Sequence, residues 1–118
     1  MARLRSVNHA FRGFFILFKT GLNFWIIIFF ALLATYLGII LKISSVEAVL
    51  LVIVFGMLFL AEAFNTAIEI DIDLTSPTYH PYARDTKDVA AGAVLISVFM
   101  ACIVGLIIFL PKILAFYF

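Results

Sequence analysis

Four side chains in this 118-residue chain have the types and the spacing to act together: Glu62, Asn65, Glu69 and Asp73. At about 100° per residue, Glu69 lies about 20° from Glu62 around a helix axis. Asp73 lies about 20° to the other side and Asn65 about 60° away. All four share one face at the end of an apolar run that begins near Val49. A charged side chain in such a run costs roughly 2.5–3.5 kcal/mol, so it is kept for a function and faces protein or a wet cavity. Carboxylates and an amide oxygen are hard ligands that suit Mg²⁺ alongside substrate phosphates. Lys87 offers a point charge for a phosphate. A shielded carboxylate such as Glu62 can take a proton from a hydroxyl. A metal, a cation and a base are the parts that phosphoryl transfer uses. No P-loop and no kinase-type glycine loop is present, so a nucleotide must be held in another way.

Two other uses of these acids remain open. Glu62 and Glu69 can be structural acids paired with Lys87 or Arg84. A line of intramembrane acids also suits a proton or cation pathway.

The elements that carry this face follow from hydropathy. Hydrophobic residues make up 66% of the chain, and the mean hydropathy of +1.24 is that of a membrane protein. Residues 3–19 are predicted to form an amphipathic surface helix in which Arg3, Arg5, His9, Arg12 and Lys19 are interleaved with Leu4, Val7, Phe11, Phe14, Phe15 and Phe18. Residues 22–41 are uncharged and long enough to cross a bilayer, with Trp25 as an interfacial anchor. Ser45 is the expected cap of a second span over residues 46–70, and Glu47 is an ordinary first-turn acid.

Residues 71–85 are expected to be a loop, because Pro77 and Pro81 interrupt regular structure. Asp71 is read as solvent-facing, and Asp85 or Thr86 as the cap of a third span over residues 87–110 that Pro111 stops. Ala90, Gly92, Ser97 and Gly105 are small residues of the kind that let membrane helices pack closely. Cys102 has no partner thiol, so neither a disulfide nor a thiolate metal site is expected. The basic residues form no dense patch of the nucleic-acid-binding kind, and no secretory cleavage pattern opens the chain. The chain is therefore read as a single all-α membrane domain over residues 1–118.

Arg3, Arg5, Arg12, Lys19, Arg84 and Lys87 fall on one side of this topology, against Lys42 and Lys112 on the other. The positive-inside rule puts the N-terminal segment, the loop and the acidic face at the cytoplasmic side, where ATP and Mg²⁺ are available.

The motif Glu62-x-x-Asn65-Thr66-Ala67-Ile68-Glu69-x-x-x-Asp73, then Tyr79-His80-Pro81, then Lys87-Asp88-Val89-Ala90-Ala91-Gly92-Ala93-Val94, resembles the prokaryotic diacylglycerol kinase family. The Lys87–Val94 wording and the Ile107–Lys112 end are closer to its undecaprenol kinase branch. The resemblance implies a homotrimer of three-span protomers in the bacterial inner membrane that uses ATP and Mg²⁺ to phosphorylate a lipid alcohol. Glu62 would then be the general base and Glu69 a metal ligand. Asn65, Asp73, Lys87 and Asp88 would belong to the nucleotide site, with His80 a further candidate contact. A trimer would also shield the polar face, which three helices alone could hardly cover.

One position departs from the pattern. Two residues ahead of Asn23 the family has a glutamate that ligates metal, and here it is Gly21. Trp25 stands where the family has an arginine or similar polar residue, and His9 and Ala10 replace residues that vary more. The missing carboxylate leaves a second expectation open, a weakened or inactive relative serving as a structural or accessory membrane subunit.

Overall fold

The computed structural model describes residues 2–118. Four helices follow one another: α1 (Ala2–Thr20), α2 (Leu22–Ile40), α3 (Ser45–Thr75) and α4 (Pro81–Tyr117). The last three are long and apolar enough to cross a membrane. α3 and α4 pack along much of their length as an antiparallel pair, α2 lies against part of α3, and α1 touches α2. The radius of gyration is 17.7 Å, against about 13.5 Å for a compact domain of this length. Most large apolar side chains are exposed, and α1 buries none of its residues. The chain alone does not bury its apolar surface, as expected of helices solvated by lipid.

Each terminus has a local cause. The α2 helix ends in a Schellman-type turn, where the Ile43 N–H donates back to the Gly38 carbonyl at 3.1 Å. Lys42 takes the left-handed position, φ 54°, that glycine usually fills. A Cβ on Gly38 would come within 2.9 Å of Ile43 Cδ1, so glycine lets the turn fold back closely.

The cap of α3 is Ser44 rather than the expected Ser45. Its hydroxyl accepts from the Glu47 N–H, and the Glu47 carboxylate accepts from the Ser44 N–H, a capping box. Glu47 also does more than complement a dipole. Its Oε1 lies 3.1 Å from Lys112 Nζ, joining the start of α3 to the end of α4.

The region expected to be a loop is mostly helix. α3 continues to Thr75, α4 begins at Pro81, and residues 76–80 alone connect them. Only Pro77 acts as a breaker. Pro81 occupies the first turn of α4, where a missing N–H costs nothing. The cap is His80, not Asp85 or Thr86: its Nδ1 accepts from the Tyr82 N–H at 3.2 Å. Asp71 is exposed as expected, though on the helix.

Pro111 does not stop α4, which runs on to Tyr117. Away from water, unravelling the last turns would strand several carbonyls, whereas the proline forfeits one hydrogen bond. The Lys112–Glu47 pair holds the segment beyond it. Of the small residues on α4, Ala90 and Ser97 are buried. At Gly92 and Gly105 an added Cβ would meet no atom within 4 Å, so close packing within the chain does not use them.

The strained turn makes a prediction. A non-glycine residue in the left-handed region costs about 1–2 kcal/mol, part of which glycine returns as unfolded-state entropy. Lys42→Gly should therefore raise stability by roughly 0.5–1 kcal/mol, measured by denaturant or thermal unfolding in detergent.

Candidate functional site

About 20 residues of helix cross a hydrocarbon layer of roughly 30 Å. With the capped Ser44–Ser45 end at one edge, α3 reaches the other edge near Asn65. On that measure Glu62 falls about one turn short of the rim, and Glu69 and Asp73 fall beyond it. Three polar side chains on this stretch are buried: Glu62 at 3% exposure, Asn65 at 6% and Thr66 at 9%. Glu69 and Asp73 are exposed.

The cover over Glu62 comes from the same chain. A hollow of about 200 Å³ is walled by Thr20, Gly21 and Asn23 from the joint between α1 and α2, and by Glu62, Thr66, Glu69, Ile70 and Asp73 from α3. The expectation that one chain could hardly shield the polar face is thus corrected for its inner half, because the turn from α1 into α2 folds over Glu62. Of the four residues whose spacing put them on one face, Glu62, Glu69 and Asp73 line the hollow, while Asn65 does not and Thr66 lines it instead.

The joint is held by two features. The Trp25 indole N–H donates to the Phe18 carbonyl at 2.9 Å, satisfying an acceptor in the last turn of α1. Phe18, Phe24 and Phe59 meet edge to face in sequence, Phe18 to Phe24 at 5.1 Å and Phe24 to Phe59 at 5.3 Å between ring centres. Trp25, expected as an interfacial anchor, is therefore a tether whose ring is half exposed. Gly21 is an extended N-cap with no side chain to offer the first amides of α2. A Cβ there would meet Phe24 Cβ at 3.1 Å and the Leu17 carbonyl oxygen at 3.3 Å. A side chain at this position of the hollow's wall is thus sterically tight.

The oxygens of the site are incompletely partnered. Glu62 Oε2 and Asn65 Oδ1 are buried without a hydrogen-bond partner, a situation native structures rarely leave without a reason. Asn65 Nδ2 donates to Glu69 Oε1 at 3.4 Å, which turns the amide oxygen away from that carboxylate. Neither Glu62 nor Glu69 pairs with Lys87 or Arg84, so the structural ion-pair alternative is not what the chain adopts. Lys87 Nζ instead lies 2.6 Å from Asp73 Oδ1, and Arg84 Nε lies 3.9 Å from Asp88 Oδ2.

The sequence-derived candidates therefore divide. Glu62, Glu69 and Asp73 line one hollow, Asn65 adjoins Glu69, and Lys87 reaches the edge through Asp73. Asp88 turns to Arg84, and His80 is spent on capping α4 through Nδ1, so neither lines the hollow. Thr20, Thr66 and Ile70 do line it and were not singled out. Thr66 lies one turn beyond Glu62, so helical spacing could have found it. Thr20 is placed only by how α1 meets α2, which leaves no trace in the spacing.

Among the described residues, no three His, Cys, Asp or Glu side chains gather closely enough to hold a metal ion alone. The oxygens present are nonetheless of the hard type, and a cation that also takes phosphate oxygens needs only one or two carboxylates from the protein.

The family model for prokaryotic diacylglycerol kinase matches residues 8–109, from within α1 to near the end of α4. The chain belongs to the prokaryotic diacylglycerol kinase family. Two relatives show its relation within the family. The undecaprenol kinase of Bacillus subtilis (strain 168) is 38% identical over 108 residues, covering 92% of this chain and 88% of that protein. The diacylglycerol kinase of a Synechocystis species is 34% identical over 113 residues, covering 95% of this chain and 65% of that protein, so this chain spans just under two thirds of its length. The matched region contains the whole hollow, and both relatives are named as kinases of lipid alcohols.

The tether predicts a local effect. Trp25→Phe keeps the ring and removes the donor. A hydrogen bond contributes about 1 kcal/mol net, so amide exchange over residues 16–20 should speed about fivefold, read by hydrogen–deuterium exchange in micelles, while the centre of α3 is unchanged.

Proposed function

We propose that the chain is an integral-membrane lipid kinase that moves the γ-phosphate of ATP to the hydroxyl of a lipid alcohol. The observation that carries this is Glu62, a buried carboxylate with an unpaired oxygen in a hollow at the membrane rim. A hydroxyl on an amphiphile lies at that depth, and a carboxylate screened from water and from cations is suited to receive its proton.

In the proposed step the lipid oxygen attacks the γ-phosphorus as its proton passes to Glu62. The bond from that phosphorus to the β–γ bridging oxygen breaks, and ADP leaves. Glu69 would hold Mg²⁺ at the hollow, with Asp73 lining the same wall for the nucleotide and Asn65 orienting Glu69 through its Nδ2. When bound, Mg²⁺ neutralises charge on the phosphate oxygens. Lys87 exchanges its contact with Asp73 for a phosphate, which an exposed pair permits because such pairs contribute little. Asp88 and His80 stand outside the hollow and would contact nucleotide at its rim.

Undecaprenol is the favoured substrate and diacylglycerol the second, in line with the order of identity of the two relatives. The family's bacterial setting supports the inner membrane, and the distribution of Lys and Arg supports a hollow that faces the cytoplasm. α1 lies in the headgroup layer there, its basic residues toward phosphates. A homotrimer would cover the exposed apolar surface that one chain leaves and bring further side chains to Glu69 and Asp73.

A second reading has its own observation. Gly21 lines the hollow and supplies no carboxylate, and its surroundings resist one. A slow enzyme, or an accessory subunit, follows if the metal site needs that acid.

Purified protein should transfer label from γ-labelled ATP to undecaprenol in the presence of Mg²⁺, and less to diacylglycerol. Glu62→Gln should lower kcat by about 100-fold or more, the usual worth of a general base, with helical content unchanged. Glu69→Gln should raise the Mg²⁺ concentration needed for half-maximal rate. No product with either lipid would favour the accessory subunit, and full activity in Glu62→Gln would remove that residue's assigned role.

A further inference from the structure

A second concavity lies on the same α2–α3 seam, at the end remote from Glu62. It encloses about 740 Å³, within the roughly 300–1,000 Å³ of small-molecule sites. Its walls are apolar and set back by small residues, Ala31, Ala34 and Gly38 on α2 and Ala48 and Gly56 on α3. A Cβ added at Gly56 would meet no atom within 4 Å, so the groove is open at that depth. Towards the Glu62 end, Phe59 packs against buried Phe24, one helical turn short of Glu62.

One charge borders this groove, Lys42. It is held at φ 54°, where a glycine would relieve strain, so the chain maintains a cation there at a cost. Among the described residues Lys42 makes no ion pair. The other charged side chains at that end, Glu47 and Lys112, neutralise each other. A helix from a second copy would therefore bring no spare side-chain carboxylate from this end to meet Lys42. An anionic lipid brings a chain for the groove and an anion for its mouth in one molecule.

We propose that the α2–α3 groove binds one anionic phospholipid from the leaflet at the α2–α3 turn, with an acyl chain along the small-residue walls and the phosphate at Lys42. The site is separate from the Glu62 hollow and its occupancy does not depend on kinase activity. A basic residue at a membrane surface favours anionic lipid by about fivefold.

Native mass spectrometry of delipidated, detergent-purified chain tests this, with phosphatidylglycerol and phosphatidylcholine of identical acyl chains as probes. Phosphatidylglycerol should be retained about fivefold better. Lys42→Gln should erase the preference and Lys42→Arg should keep it. Gly56→Leu, which fills the groove from a position with open space around it, should lower retention of both lipids with helical content unchanged. Equal retention of the two lipids by the wild type, or a preference that survives Lys42→Gln, overturns the proposal. So does a Gly56→Leu protein that keeps its lipid but changes its assembly mass, because the groove is then a contact between copies.

Discussion

An acid cannot sit inside an apolar helix unless other parts of the chain hide it from lipid, and Glu62 sets that demand here. It is 3% exposed, yet no basic side chain neutralises it. Its cover is a bend in the backbone, the single residue Gly21 between α1 and α2, together with Thr20 and Asn23 on either side. That cover constrains its neighbours. α1 must leave the start of α2 at a fixed angle, which the Trp25–Phe18 hydrogen bond and the row of edge-to-face phenylalanines maintain. The aromatic residues near the N-terminus thus serve the acid even though none of them can take part in its chemistry.

The same demand explains the uneven polarity of α3. Where the helix lies within the hydrocarbon layer, its polar groups are few and buried. Past the rim, Glu69 and Asp73 are exposed on the same side. A ligand bridging the two zones meets a dry carboxylate first and wet ones after, an order suited to an amphiphile's hydroxyl below and a polyphosphate above. Extending α3 to Thr75 is what carries the acidic face beyond the membrane. A loop starting at residue 71 would have left Asp73 without a fixed place.

Much of this was legible in the sequence because helices have a period. The spacing of residues 62, 69 and 73 gave the shared face, and hydropathy gave α2 and the start of α3 to within a residue, but it ended α3 five residues early, began α4 six late and ended it seven early. What failed was the treatment of proline as a single kind of signal. Pro77 breaks, Pro81 begins a helix, and Pro111 is carried through one, and the difference lies in which backbone groups have water to turn to. Tertiary partnership was illegible as well. Nothing in local sequence tells Glu47 to find Lys112, Trp25 to find the Phe18 carbonyl, or Lys87 to take Asp73 in place of Glu62.

The Glu47–Lys112 pair has a mechanical consequence. It fastens α3 to α4 at one extremity, and the five residues 76–80 fasten them at the other. α2 is joined covalently to that doubly latched pair by the four residues 41–44. Along the chain, then, α3 and α4 are tied at both extremities, whereas α2 relies on side-chain packing such as Phe24 on Phe59 to stay in place at the end away from its turn.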